Sequence, residues 1–533
     1  MTTLLCGGRI HSPSHPDATA MAVRDGVVAW LGSDAVGRAQ FPDADLVDLA
    51  GGFVTPAFVD AHVHLTETGL GLIGLDLRAA TSRPHCLQLI AEAVRTVGGH
   101  PDSLIWGHGW DETRWPDPVA PSTAELDAVV GNRPVYLARI DVHSALASTD
   151  LRRRVDGLAA LPGDGDQRPL VEDAHHRVRA AARALLTADQ RRAARLAALD
   201  AAAAHGIVAV HECAGPEIGG LGDWQELRDV DHGVQVVGYW GEPVRTAAEA
   251  VALREETGAA GLAGDLFVDG SLGSHTAWLA QPYADAPADF GSRRLDPDTV
   301  LAHLMACTEA GVTAGFHVIG DAAVTAVVTA LAQVVDRFGA PAVARCGHRL
   351  EHLEMVGAAE AAQLGAWGVI ASVQPNFDAL WGGPDGMYAR RLGVERAGNL
   401  NPFALLASQG VPLAFGSDTP VTALNPWATV RAAATHRTPG SAISPRAAFA
   451  AATRGGWRAG GVHDGLTGTL VPGAPASYAV WDTGELIVSA PRDAVQRWST
   501  DPRSRVPALP RLSVEDPLPQ CRHTVHQGRV IHG

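Results

Sequence analysis

The chain has 533 residues, 46% of them apolar, which is enough for roughly two to three domains with sizeable cores. Acidic residues outnumber basic ones by 58 to 42, and the formal charge of -16 argues against nucleic acid and anionic membranes as partners, leaving a small molecule. Every basic residue is an arginine, the six cysteines form neither a Cys-x-x-Cys pair nor a disulfide framework, and no apolar run nears the ~18 residues of a membrane span, so a cytoplasmic protein is expected.

In chain order, Leu4-Leu5-Cys6-Gly7 lacks the preceding apolar segment of a lipoprotein signal and reads as a strand. Met21 to Leu31 reads as two strands turning at Asp25-Gly26, a strong hairpin signal. Tyr478 to Trp481, and Thr524 to Ile531 around Gln527-Gly528, have the same style, so the two chain ends are expected to join in one β-sandwich, residues 1–54 with 462–533. An insertion, 67–186, carries aromatic and loop-rich stretches such as Trp106 to Asp111, and the strand Pro134 to Ile140 delivers Asp141, His143 and Ser144 at its end.

From Thr187 the rhythm is regular. Thr187-x-x-Gln190 is a capping box, an alanine-rich helix follows, and Gly206 precedes the apolar strand Ile207 to His211. Further strands are expected at Val234–Tyr239, Leu266–Asp269, Val312–His317, Cys346–His352, Val369–Val373 and Val411–Ser417. Helical patterns lie between several of them, for example Asp298 to Ala310 and Asp321 to Phe338. With the strand ending at His64 this makes eight alternating units, an α/β chain folded as a (β/α)8 TIM-like barrel over 55–66 and 187–461.

Such a barrel places its chemistry at the C-terminal ends of its strands. His62 and His64, one residue apart on a strand, project from one face as a ready pair of metal ligands. His317, His352 and Asp418 each follow an apolar strand and should converge on them, giving four imidazoles and one carboxylate. A metal site of this kind makes water nucleophilic near neutral pH, and Asp418 beside it would act as general base. The reaction class is hydrolysis at an sp2 carbon, most simply an amide.

The motifs Thr55 to His64, Gly109-Trp110-Asp111, Asp141-Val142-His143-Ser144, Asp269 to Ser274, His317 to Asp321, Glu351-His352 and Gly416 to Pro420 stand in this order along the chain. In them the sequence resembles the amidohydrolase superfamily, and within it the amidohydrolase family 3 group that includes N-substituted formamide deformylase-like enzymes. The resemblance implies a barrel with a terminal β-sandwich, an insertion after the first strand, metal on His62, His64, His317, His352 and Asp418, and a substrate facing His143 and the aromatic insertion with Trp110 and Asp111. Related enzymes often bridge two ions with a carboxylated lysine, at the position of Asp265 here. With no lysine in the chain that group cannot form. The expectation is one firmly bound zinc, with a second ion held weakly through water or a carboxylate such as Asp265 or Glu212; manganese or iron would also suit the ligands.

His275 and Trp278 are candidate pocket walls and Trp381 a candidate lid contact in the loop Trp381-Gly382-Gly383-Pro384, whereas His175-His176, among charged neighbours, reads as a solvated helix face. His523 and His526 read as structural. Two other functions compete with a C–N hydrolase: a mononuclear deaminase of a heterocycle, which would usually place a glutamate soon after His317, and an amidohydrolase-like scaffold that has lost its metal. A homo-oligomer is left open.

Overall fold

The computed structural model describes residues 1–96, 103–488 and 506–533. Eight parallel strands form its centre: Phe58–Val63, Ile207–Ala214, Gln235–Trp240, Gly261–Leu262, Thr313–Val318, Arg349–His352, Ile370–Val373 and Leu413–Phe415. Each pairs with the next. First and last meet through a Val63–Thr419 bridge and the bonds His64 N to Thr419 O (3.0 Å) and Asp418 N to His62 O (2.8 Å), which close the sheet into a barrel. Helices outside and side chains inside bury both faces of the strands, which is why they read as apolar runs rather than as an alternation. The capping box at Thr187 and Gln190 opens helix Ala188–Ala204, and helices Pro297–Ala310 and Asp321–Phe338 end at Gly311 and Gly339.

The fourth strand departs from the sequence expectation. It is Gly261–Leu262, not Leu266–Asp269, because the ladder is interrupted after Leu262. Leu262 pairs with Ala314, and the next pairing is Phe267 with His317, so five steps on one strand match three on its neighbour. Gly264, at φ +80°, takes up the two extra residues as a bulge, and the bulge aims Asp265 into the barrel mouth.

Two further sheets draw on the chain ends. A four-stranded sheet uses Thr2–Cys6, Ala20–Arg24, Val27–Gly32 and Asp45–Asp48; a five-stranded one joins Arg9–Ile10 and Phe53–Pro56 to Tyr478–Asp482, Gln520–His526 and Arg529–His532. Leu5, Met21, Val54, Tyr478 and Val525 fill the core between them. Both expected hairpin turns have two left-handed residues, Asp25-Gly26 (φ 52° and 76°) and Gln527-Gly528 (φ 50° and 82°), the type I′ geometry that suits twisted strands. The two turns abut, and a Cβ on Gly26 would lie 2.6 Å from the Gln527 carbonyl oxygen.

The insertion builds a sheet from Leu75–Asp76, Ile105–Trp110, Val135–Arg139, Ser144–Ala147 and Leu170–Val171, followed by helix Glu172–Ala184. Val178 and Tyr136 share an apolar cluster with Leu272, Ile319, Phe377 and Trp381 of the barrel loops, so the insertion sits over the barrel mouth. No single helix among the described residues is long and apolar enough to cross a membrane.

Candidate metal centre at the barrel mouth

His62 and His64 leave the first strand toward the barrel axis, and two carboxylates meet them. His62 Nε2 lies 3.4 Å from both Asp265 Oδ1 and Asp418 Oδ1; His64 Nε2 lies 3.1 Å from Asp265 Oδ2 and 3.3 Å from Asp418 Oδ1. His352 Nε2 stands 4.0 Å from Asp265 Oδ1, and the His317 ring centroid is 4.4 Å from that of His352. Ligand atoms of His62, His64 and Asp265, and of His62, His352 and Asp418, lie within 4.8 Å of one another in each group. The fold thus brings together all five residues read from the strand ends, with Asp265 among them.

The donor set fits a cation. His62 Nε2, His352 Nε2, both His317 ring nitrogens and Asp265 Oδ1 are buried without a hydrogen-bond partner in the protein, a costly arrangement unless something else satisfies them. Burial disfavours charge on His64, yet the Asp265 and Asp418 carboxylates outweigh it and raise its pKa to about 10. Burial, and then His317, hold His352 down at about 3.

Neighbours fix the rings. Glu351 Oε2 takes His62 Nδ1 at 2.8 Å and Gln374 Oε1 takes His352 Nδ1 at 2.8 Å, leaving each Nε2 lone pair for a ligand. Sequence reading gave Glu351 no role. The signal was present: Arg349 and Glu351, two apart on a strand, must share a face, and a cation and an anion inside a barrel must be paired. Asp60, buried and lifted to about 6, ties the barrel seam by accepting from Ser417 N at 2.8 Å. A third group, His62 with Cys213 and Glu351, lies on the side of the ring already bonded to Glu351, and burial pushes the Cys213 thiol up to about 12.

Backbone strain gathers here as well. Asp418 (φ 54°), His352 (φ 70°) and Val142 (φ 58°) occupy the left-handed region, costly for side chains and most of all for a β-branched one. Val142 brings His143 over the centre, 5.1 Å from His317 ring to ring. Asp141 anchors that turn by accepting from Arg139 (2.8 Å), Ser271 (2.9 Å) and Ser274 (2.7 Å).

Two cavities open on the centre and share His143, His317, His352 and Asp418 in their walls. Beyond these, the apolar cavity takes its name from Leu272, Ile319, Phe377 and Trp381, with Glu354 and Tyr388 also in its wall, and the polar cavity from His64, Glu67, His176 and Arg179, with Ile218 and Phe267 beside them. Trp381 therefore stands where a substrate contact was expected, at the end of helix Pro375–Trp381 rather than in a loop.

Other expectations need correction. Trp110 is fully buried in the insertion core and donates to Leu137 O at 2.9 Å, and Trp106 and Trp115 are core residues too. Asp111 caps Thr113 and pairs with buried Arg139 at 3.2 Å, because that guanidinium needs carboxylates around it. His275 bonds Asp285 at 3.0 Å and lines neither cavity. Glu212 Oε2 accepts from Leu65 N at 2.8 Å at the start of helix Leu65–Ile73. His175-His176 is not a solvated face: His175 is buried against Tyr136 and His176 lines the polar cavity.

A closed parallel barrel with histidines and carboxylates converging at its C-terminal rim is the architecture of a metal-dependent hydrolase. The chain belongs to the amidohydrolase family, whose model, described as "Amidohydrolase family", matches residues 45–532. It is 28% identical over 522 residues to Protein LONG AFTER FAR-RED 3 of Arabidopsis thaliana, covering 90% of this chain and 87% of that one. A stretch of 135 residues is 27% identical to N-substituted formamide deformylase of Arthrobacter pascens, covering 25% of this chain and 24% of the relative. An uncharacterized metal-dependent hydrolase from Pyrococcus horikoshii superposes with a TM-score of 0.69 at 25% identity, over 91% of this chain and 98% of its own.

Proposed function

We propose that the protein hydrolyses a non-peptide C–N bond, an amide, N-acyl or N-formyl linkage, of a small molecule. The observation that carries this reading is the convergence of unpartnered imidazole nitrogens on Asp265 and Asp418 where two cavities meet. His62, His64, His317, His352 and Asp418 would hold a divalent ion, zinc by the nitrogen-rich donor set, with Asp265 between His64 and His352 as the carboxylate for a second, weaker ion. Such an ion, when bound, supplies Lewis acidity and makes water nucleophilic near neutral pH.

The chain's own groups do the rest. Asp418, kept ionised against burial by His62 and His64, takes a proton from the attacking water and returns it to the departing nitrogen. His143, whose pKa burial and His317 lower to about 4, is neutral and offers an N–H to the substrate carbonyl. The partial likeness to the Arthrobacter pascens deformylase supports the N-formyl branch of this reading.

A panel of N-acyl and N-formyl amines set against aminated heterocycles tests the proposal. Amine release that disappears in His317→Ala is expected. Ammonia release from the heterocycles alone would replace it with a deaminase, and turnover of nothing by metal-replete enzyme would favour a scaffold.

A further inference from the structure

The polar cavity contains a buried cation that the hydrolytic reading does not use. Arg179 comes from the insertion helix Glu172–Ala184, its side chain is 4% exposed, and it faces the same space as His64, Asp265 and Asp418. Its Nη2 donates to Glu217 O at 2.8 Å and to His176 Nδ1 at 3.0 Å. Nη1 reaches only a long 3.5 Å contact with Glu67, and Nε has no hydrogen-bond partner. A guanidinium has five N–H donors in a planar fork, and leaving some of them buried and unused is expensive.

The carboxylates around it have other partners as well. Glu67 accepts from Arg183 at 2.9 Å, Asp141 from Arg139 at 2.8 Å, and Asp265 and Asp418 face the histidines of the metal centre. His176 accepts at Nδ1 from Arg179 and so adds no charge through that nitrogen. The buried guanidinium therefore keeps an unused donor at Nε in the wall of this cavity, and its planar fork suits a carboxylate.

We propose that the substrate carries a carboxylate bound by Arg179 in the polar cavity, an apolar arm beside Phe377 and Trp381, and its scissile C–N bond between the two. The inference rests on the hydrolytic reading of the same site, and the substrate class it names is an N-acylated amino acid or a close analogue.

The test uses a matched pair, N-acetylphenylalanine and N-acetylphenethylamine, which differ only by the carboxylate. Both are titrated by calorimetry into the metal-replete Asp418→Asn protein and assayed for turnover with the wild type. The carboxylate member should bind about tenfold to a hundredfold more tightly, the worth of a charge-assisted hydrogen bond in a buried site. Arg179→Gln should erase that preference by weakening the carboxylate member alone, and Arg179→Lys should restore part of it. Equal binding of the pair to the Asp418→Asn protein with Arg179 intact overturns the inference, and so does an equal KM for both members with the wild type. An equal loss for both members in Arg179→Gln overturns it too. Preference in binding without turnover of either compound would sustain the carboxylate site and count against amide hydrolysis, so the two failures are distinguishable.

Discussion

Glu351→Gln separates what holds the fold from what holds the metal. The carboxylate is fully buried, takes His62 Nδ1 at 2.8 Å and Arg349 Nη2 at 2.9 Å, and Arg349 is itself fully buried. The other neighbours of that guanidinium are neutral: Ala61 O at 2.6 Å, Ser372 Oγ at 2.8 Å, His211 Nδ1 at 3.0 Å and the Tyr239 ring at 4.3 Å. Removing the anion leaves a buried cation without its counter-charge, a loss of about 3–5 kcal/mol. Weakening the carboxylate behind a ligating imidazole lowers metal affinity by about tenfold to a hundredfold. Replacing the cation as well, in Arg349→Met/Glu351→Gln, should recover much of the stability and none of the affinity, because His62 still lacks its partner. Urea unfolding of chelator-stripped protein reads the first quantity and competition against a chromogenic chelator reads the second. If the double variant is no more stable than the single one, or if the single variant binds metal like the wild type, the assignment of Glu351 to both partners is wrong.

Gly528→Ala should cost about 2 kcal/mol in urea unfolding, since φ is 82° and the added Cβ would stand 2.9 Å from Gly26 Cα; an unchanged midpoint would contradict the turn geometry. Trp381→Ala should raise KM about tenfold while His275→Ala leaves it within about twofold, as only Trp381 faces the apolar cavity; equal effects would contradict the placement of either side chain. Burial alone would raise the Asp285 carboxyl, but hydrogen bonds from His275 and Arg391 bring it down to about 2. Its contribution, about 1 kcal/mol after screening at this partly exposed site, is therefore full above about pH 4 and lost as the pH falls toward 2. Asp285→Asn should flatten that part of the acid stability profile, and an unchanged profile would deny the ion pair its role.

Much of the barrel was legible because buried parallel strands advertise themselves as apolar runs ended by polar residues, and His62, His64, His317, His352 and Asp418 stood at those ends. The fourth strand was misplaced because Leu266-Phe267-Val268 is as apolar as any strand, while the cause of the shift, a bulge at Gly264 and Asp265, lies in a register that only the neighbouring strand defines. Asp265 reaches the centre through that irregularity, not through the strand period that would have put it on the face of Asp269. Asp269 instead accepts the backbone N–H groups of Ile319 (3.0 Å) and Gly320 (2.7 Å). The helix carrying His175, His176 and Arg179 misled for another reason. Its polar side faces a polar cavity, and periodicity cannot tell such a cavity from solvent. The tryptophans of the insertion misled in the opposite direction, since aromatic density marks a core as readily as a pocket.

Elemental analysis of protein purified without chelators tests the central claim most directly, with wild type and His62→Ala/Asp418→Ala measured side by side. The wild type should retain about one tightly held divalent ion per chain, any second ion leaving on dialysis, and the double variant should retain almost none while keeping its circular dichroism spectrum. A double variant as rich in metal as the wild type, or a metal-free wild type that still hydrolyses amides, would contradict the account.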